Sequence, residues 1–191
     1  MTSPILSGLV LAAGAGSRFG GPKALARTAD GEPWVARAVR VLLDGGCDRV
    51  VVALGARADD ARGLVPDDAR VSVAVVDDWA SGVSASLRAG LVACGDEAEA
   101  VLVTLVDLPG LPVEVVRRVA RRPFDAGVLR QAVHGARPGH PVLLGRSHRP
   151  ALLARLDGDT GARAYLAAHG AEAVECGDLF DGEDADRPPG G

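Results

Sequence analysis

Short apolar runs recur along this chain and alternate with amphipathic stretches. ILSGLVLA (5–12), RVVVAL (49–54), VSVAVV (71–76) and EAVLVTLV (99–106) are rich in β-branched residues and nearly free of polar positions. A strand without a polar face is covered on both sides, as in parallel sheets. Between these runs lie PWVARAVRVLLDGG (33–46), ADDARGLV (58–65) and SGVSASLRAGLVACG (81–95), which read as helices. Strand alternating with helix predicts right-handed βαβ units and a mostly parallel sheet. Pro112 suits a first helical turn, so a further helix is expected through VEVVRRVARR, with Arg117, Arg118, Arg121 and Arg122 on its solvated face.

After residue 125 the pattern changes. AGVLRQAV (126–133) and HPVLLG (140–145) are separated only by HGARPG (134–139), which favours a hairpin or meander over another crossover. A helical piece around GARAYLAAHG and a short strand AVEC close the compact part. The expected fold is α/β: a three-layer sandwich with a Rossmann-like, mostly parallel sheet and a late antiparallel strand. One domain over residues 1–180 accounts for the length. From Asp181 the sequence DGEDADRPPGG is polar, acidic and ends in proline and glycine, so a mobile tail is expected over 181–191.

Composition narrows the function classes. Hydrophobic residues make up 48% of the 191, but aromatics only 3%, so the core must come mainly from Val, Leu and Ala. A net charge of −4 argues against a broad basic surface for nucleic acid or anionic lipid. Cys47, Cys94 and Cys176 lie far apart without CxxC spacing, which suggests free thiols rather than a zinc cluster or a disulfide framework. No run of about 18 apolar residues and no signal-type N-terminus is present, so a cytoplasmic protein without membrane partners is expected.

The chemistry concentrates in LAAGAGSRFGGPKAL (11–25), where Gly14, Gly16, Gly20 and Gly21 accompany Arg18 and Lys23. Lys23 is the sole lysine among the 21 basic side chains, which invites a role for a compact ammonium that a planar guanidinium cannot fill. In an open parallel sheet, ligands bind beyond the carboxyl ends of the strands, where this stretch should sit. Glycines bring backbone N–H groups close to a ligand, and the two cations suit a triphosphate. The Walker pattern fails, because Pro22, Lys23 and Ala24 follow Gly21 and no hydroxyl is placed for Mg²⁺. The dinucleotide pattern GxGxxG fails too, because Phe19 stands where its third glycine belongs. Asp107 should emerge at the tip of a central strand on the same sheet edge, either to hold Mg²⁺ on the phosphates or to cap the next helix.

LAAGAGSRFGGPKAL resembles the LAAGxSxRMGxxK signature of nucleotidyltransferases related to molybdenum cofactor cytidylyl- and guanylyltransferases. DWASGVSASLRAGL (78–91), VDLP (106–109), GHPVLLGR (139–146) and GDTGAR (158–163) resemble four further motifs of that family, in the same order. The resemblance implies the nucleotide-diphospho-sugar transferase-like fold and Mg²⁺-dependent transfer of a nucleoside monophosphate with release of pyrophosphate. It implies that Leu11, Ala12, Ala13, Gly14, Gly16, Ser17, Arg18 and Lys23 bind the nucleotide, with Arg18, Lys23 and Asp107 catalytic. Gly82 and Ser84 would add nucleotide or acceptor phosphate donors, while Ser81 is equally an ordinary N-cap.

His140, Asp159 and Arg163 would face the acceptor, although His140 could instead orient its loop and the latter two could staple their own turn. Many relatives carry a late Asp-x-Asp-Thr-Pro metal motif; here it reads Asp184, Ala185, Asp186, Arg187, Pro188, so Asp186 is either a second metal ligand or part of a solvated tail. Ala13, where guanylyl enzymes have glycine, leans toward CTP, and molybdopterin is the acceptor to expect, its product destined for a molybdenum hydroxylase or that enzyme's chaperone. A guanylyltransferase, a sugar-1-phosphate nucleotidyltransferase and a non-catalytic nucleotide-binding accessory protein are the alternatives.

Overall fold

The computed structural model describes residues 4–185. One seven-stranded sheet runs through them, with β1 Leu6–Ala12, β2 Arg49–Leu54, β3 Val71–Val75, β4 Ala100–Leu105, β5 Leu129–His134, β6 Arg137–Gly145 and β7 Glu172–Glu175. Its spatial order is β3-β2-β1-β4-β6-β5-β7. The first four strands are mutually parallel, β6 runs antiparallel to both β4 and β5, and β7 is parallel to β5. The expected α/β sandwich with a late antiparallel element is the observed one.

Side chains on a strand alternate between faces, and this sheet is apolar on both. Leu6, Val10, Val50, Val52, Ala100 and Leu102 join a core under α1 (Trp34–Asp44), α2 (Ala58–Arg62) and α4 (Val113–Val119). Their neighbours Leu9, Leu11, Val51, Ala53, Val101 and Val103 join a second core under α3 (Val83–Ala93), α5 (Arg149–Leu153) and α6 (Arg163–Ala168). β1 is buried at every position, which explains why its sequence shows no alternation. The three cysteines are free and buried, and burial pushes the Cys94 thiol up to about 12 and those of Cys47 and Cys176 upward as well. They are structural, unreactive thiols.

Between β5 and β6 the chain turns more tightly than its sequence suggested. Gly135 and Ala136 have φ of +58° and +69°, so a two-residue turn suffices and β6 begins at Arg137. The segment read as the start of a mobile tail is also held. The Arg137 guanidinium donates to Asp181 O at 2.9 Å, and the Ala185 N–H donates to Asp107 O at 2.8 Å, so residues 181–185 lie against the body. No helix among the described residues is long and apolar enough to cross a membrane.

Candidate active site

β1 sits at the point where the chain's path across the sheet reverses: α1 leads from β1 to β2 on one side, and the chain later returns to place β4 on the other. The loops leaving adjacent β1 and β4 therefore diverge around a crevice, the usual position of a ligand in an open sheet. The glycine stretch is the first of these loops and Val106–Asp107 opens the second.

The glycine loop closes on itself. Gly16 O accepts the N–H groups of Phe19, Gly20 and Gly21 at 2.9, 3.0 and 3.2 Å, and Gly16 has φ +61°. A β-carbon there would lie 1.9 Å from Gly21 O, so only glycine permits the fold-back. Glycines 20 and 21 thus build the turn and are not part of the crevice wall. By contrast, the N–H groups of Gly14, Ala15, Gly16 and Ser17 donate to no acceptor among the described residues, and all four residues line the crevice. Four such donors beside an ammonium are a phosphate-binding arrangement.

The cleft holds about 560 Å³ and is walled by residues 11–17, Lys23, Trp79, Gly82, Val83, Ser86, Asp107 and Asp159. Lys23 follows the loop in a short 3-10 turn (Lys23–Leu25), and its Nζ donates to Asp107 Oδ2 at 2.9 Å. Both side chains are less than one-fifth exposed. The other carboxylate oxygen, Asp107 Oδ1, is buried and has no hydrogen-bond partner among the described residues. A buried anionic oxygen without a donor is costly unless a cation joins it, so the donor set fits a hard divalent ion held by Asp107 and by a ligand's own phosphates. No cluster of three His, Cys, Asp or Glu side chains suited to a metal is present among the described residues. Asp186 lies outside them.

A second cavity of about 260 Å³ adjoins the first and shares Leu11, Val83 and Leu105 with it. Its walls are chiefly aliphatic, from Leu87, Val103, Val142, Leu144, Leu152 and Leu166, with Gln131, His140 and Arg163 as the polar groups. Burial pushes the His140 imidazole below its usual 6.5, although the Asp107 carboxylate pulls the other way. Its Nδ1 lies 3.3 Å from Val103 O, and a carbonyl only accepts, so Nδ1 carries the proton and Nε2 the lone pair.

Several expected site residues fall elsewhere. Arg18 is exposed and is not part of the cleft wall. Ser84 cannot serve as a phosphate donor: its N–H and hydroxyl both point at Gly158 O, at 3.1 and 2.5 Å, and the residue is only 5% exposed. Ser86, two positions on, lines the cleft instead; the Ser-x-Ser spacing was the available signal for it. Helix α3 begins at Val83 with Gly82 as its cap, so Ser81 is not the N-cap. Asp159 lines the larger cleft, not the apolar cavity, and no ion pair joins it to Arg163 among the described residues. Trp79 also walls the cleft; it lies within the 78–91 motif but is not among the expected site residues.

An open row of backbone donors, an ammonium and a cation-seeking carboxylate at a sheet's switch point make this a polyphosphate-binding α/β protein. Comparison with known families narrows that class: residues 8–174 match the MobA-like NTP transferase domain, and the chain belongs to this family. It is 37% identical to nicotine blue oxidoreductase of Paenarthrobacter nicotinovorans, over 96% of this chain and 93% of that protein. It is 24% identical to molybdenum cofactor cytidylyltransferase of Escherichia coli (strain K12), over 52% of this chain and 50% of that protein. A solved nucleotidyl transferase from Methanothermobacter thermautotroptrophicus matches with a TM-score of 0.80 and 25% identity, covering 96% of this chain and 92% of that one.

Proposed function

We propose that this protein transfers a nucleoside monophosphate from an NTP, with CTP favoured, to a phosphorylated small molecule, molybdopterin first among them. An acceptor phosphate oxygen attacks the α-phosphorus in line, the bond to the β-phosphate bridging oxygen breaks, and pyrophosphate leaves with that electron pair. The open N–H groups of residues 14–17 hold the phosphate chain, and Lys23 neutralises charge that builds on it. Asp107, whose Oδ2 is fixed by the Lys23 ammonium, is the residue that would hold a Mg²⁺ ion. Such an ion would supply charge neutralisation at the phosphates. His140 and Arg163 face the acceptor. The chamber's aliphatic walls favour a ring system with apolar faces over a hydroxyl-rich sugar phosphate. The chemistry belongs in the cytoplasm, where nucleotides are supplied.

The observation that carries this reading is the orphaned, buried Asp107 Oδ1 beside a lysine-clamped partner oxygen and four open N–H groups. A matrix of NTPs against phosphorylated acceptors, followed by pyrophosphate release, tests it. One strongly responding pair establishes the transfer; tight CTP binding without turnover in any pair points to the accessory-protein alternative.

A second reading has its own support. The relative at 37% identity over nearly the whole length is named an oxidoreductase, so the cleft could instead hold a dinucleotide, with a conjugated redox partner in the apolar chamber. Oxidation of a reduced nicotinamide cofactor, assayed on the same preparation with conjugated acceptors, favours this reading if it proceeds while pyrophosphate release is absent.

A further inference from the structure

We infer that Ser84 is a positioning residue: it ties the loop between α5 and α6 across the boundary of the two cavities, setting Asp159 in one and Arg163 in the other. The inference rests on the transfer reading for its kinetic consequence and on geometry alone for the tie.

The loop is a small closed unit. Thr160 N–H donates to Asp157 O at 3.0 Å, the Asp157 N–H donates to Thr160 Oγ1 at 3.1 Å, and the Thr160 hydroxyl returns to Asp157 O. Such a unit moves as one piece, and α3 fastens it at two points one helical turn apart. The Arg88 guanidinium donates to Leu156 O at 2.9 Å, at the loop's start. Ser84 holds the middle, through its amide and hydroxyl to Gly158 O, with Thr160 O a further 3.1 Å neighbour of the hydroxyl. Residues four apart on a helix share a face, so both fasteners reach the same loop.

Gly82 shows how closely the loop is seated. Its φ is +112°, and a β-carbon on it would lie 2.5 Å from both Asp159 Oδ1 and Gly158 O. The loop lies against the bare side of this glycine. From that seat the loop faces two ways: Asp159 walls the nucleotide cleft, whereas Gly161, Ala162 and Arg163 wall the apolar chamber. Val83, between Gly82 and Ser84, walls both. One fastened piece therefore carries a wall of each cavity, and loosening it disturbs both substrates together.

Ser84→Ala removes the hydroxyl and keeps the amide bond; Ser84→Thr keeps both. Hydrogen exchange over residues 157–163 and steady-state transfer kinetics are measured on the wild type and the two variants, with thermal melts to verify folding. Ser84→Ala should lose protection at these amides by about three- to tenfold, the range of one hydrogen bond. The KM values for NTP and acceptor should rise together by a similar factor, with kcat changed less than KM, while Ser84→Thr resembles the wild type. Unchanged exchange and KM in Ser84→Ala overturn the inference. So does a Ser84→Thr variant as impaired as Ser84→Ala, which assigns the position to packing alone. Wild-type protein that releases no pyrophosphate with any pair sinks the transfer reading and the substrate-positioning role built on it, whereas the exchange measurement still decides the tie.

Discussion

The two cavities meet at Leu11, Val83 and Leu105 but are built from opposite materials. The larger is walled by the backbone of residues 12–17, an ammonium and two carboxylates; the smaller by aliphatic side chains from β4, β6, α3, α5 and α6. Backbone donors recognise phosphate whatever is attached to it, so on the proposed transfer the larger cleft would set the reaction class. Side chains set shape, so on the proposed transfer the smaller one would select the partner. A family built this way can keep its phosphate grip while the partner changes, which fits one fold carrying relatives named for different reactions.

The sharpest way to break this division is to disable the charged cavity alone. Asp107→Asn keeps the shape and removes the anion, and should lower pyrophosphate release by about 10³-fold, the scale of losing one charge-stabilising group, with the circular dichroism spectrum unchanged. In the other cavity, Arg163→Ala should raise the acceptor KM about tenfold, as for one lost charge-assisted hydrogen bond, and leave the NTP KM within twofold. Equal effects on both KM values would show that the cavities do not divide the work.

A smaller effect concerns pH. His140 titrates below its ordinary 6.5 in the folded chain because burial disfavours the imidazolium. The unfolded chain therefore binds the proton more readily, and stability should fall as pH drops below about 6.5 until the folded group protonates too. Melting temperature followed from pH 7 downward checks this; His140→Gln should flatten the slope by at most one proton. Smallest of all, Arg18→Ala should change kcat/KM by less than about twofold, because that side chain is exposed and outside the cleft wall.

The same division governs what the sequence disclosed. The parallel half was legible because strands buried on both faces leave uninterrupted apolar runs, and the observed β1, β2 and β4 begin within one residue of the expected starts. The glycine loop and Asp107 were legible because both leave strand ends, where chain order fixes the sheet edge. The second half was harder to read. Helix α5 spans five residues, too few for a periodic signal, and the Gly135–Ala136 turn asks a non-glycine residue to take positive φ. Ser84 looked like a phosphate donor because its partner, Gly158, lies 74 positions away, a separation that no local pattern encodes. That Asp159 lines the larger cleft was equally hidden, because its place depends on how its loop docks on α3. The acidic segment from Asp181 reads as solvated by composition, yet the Arg137 side chain donating to Asp181 O and the Ala185 N–H donating to Asp107 O bind it to the body.

Calorimetric titration of CTP, with and without Mg²⁺, into the wild type and Asp107→Asn tests the phosphate grip most directly. Mg²⁺ should tighten binding to the wild type at least tenfold and have little effect on the variant, which lacks the carboxylate proposed to hold the ion. Equal tightening in both proteins would contradict the account.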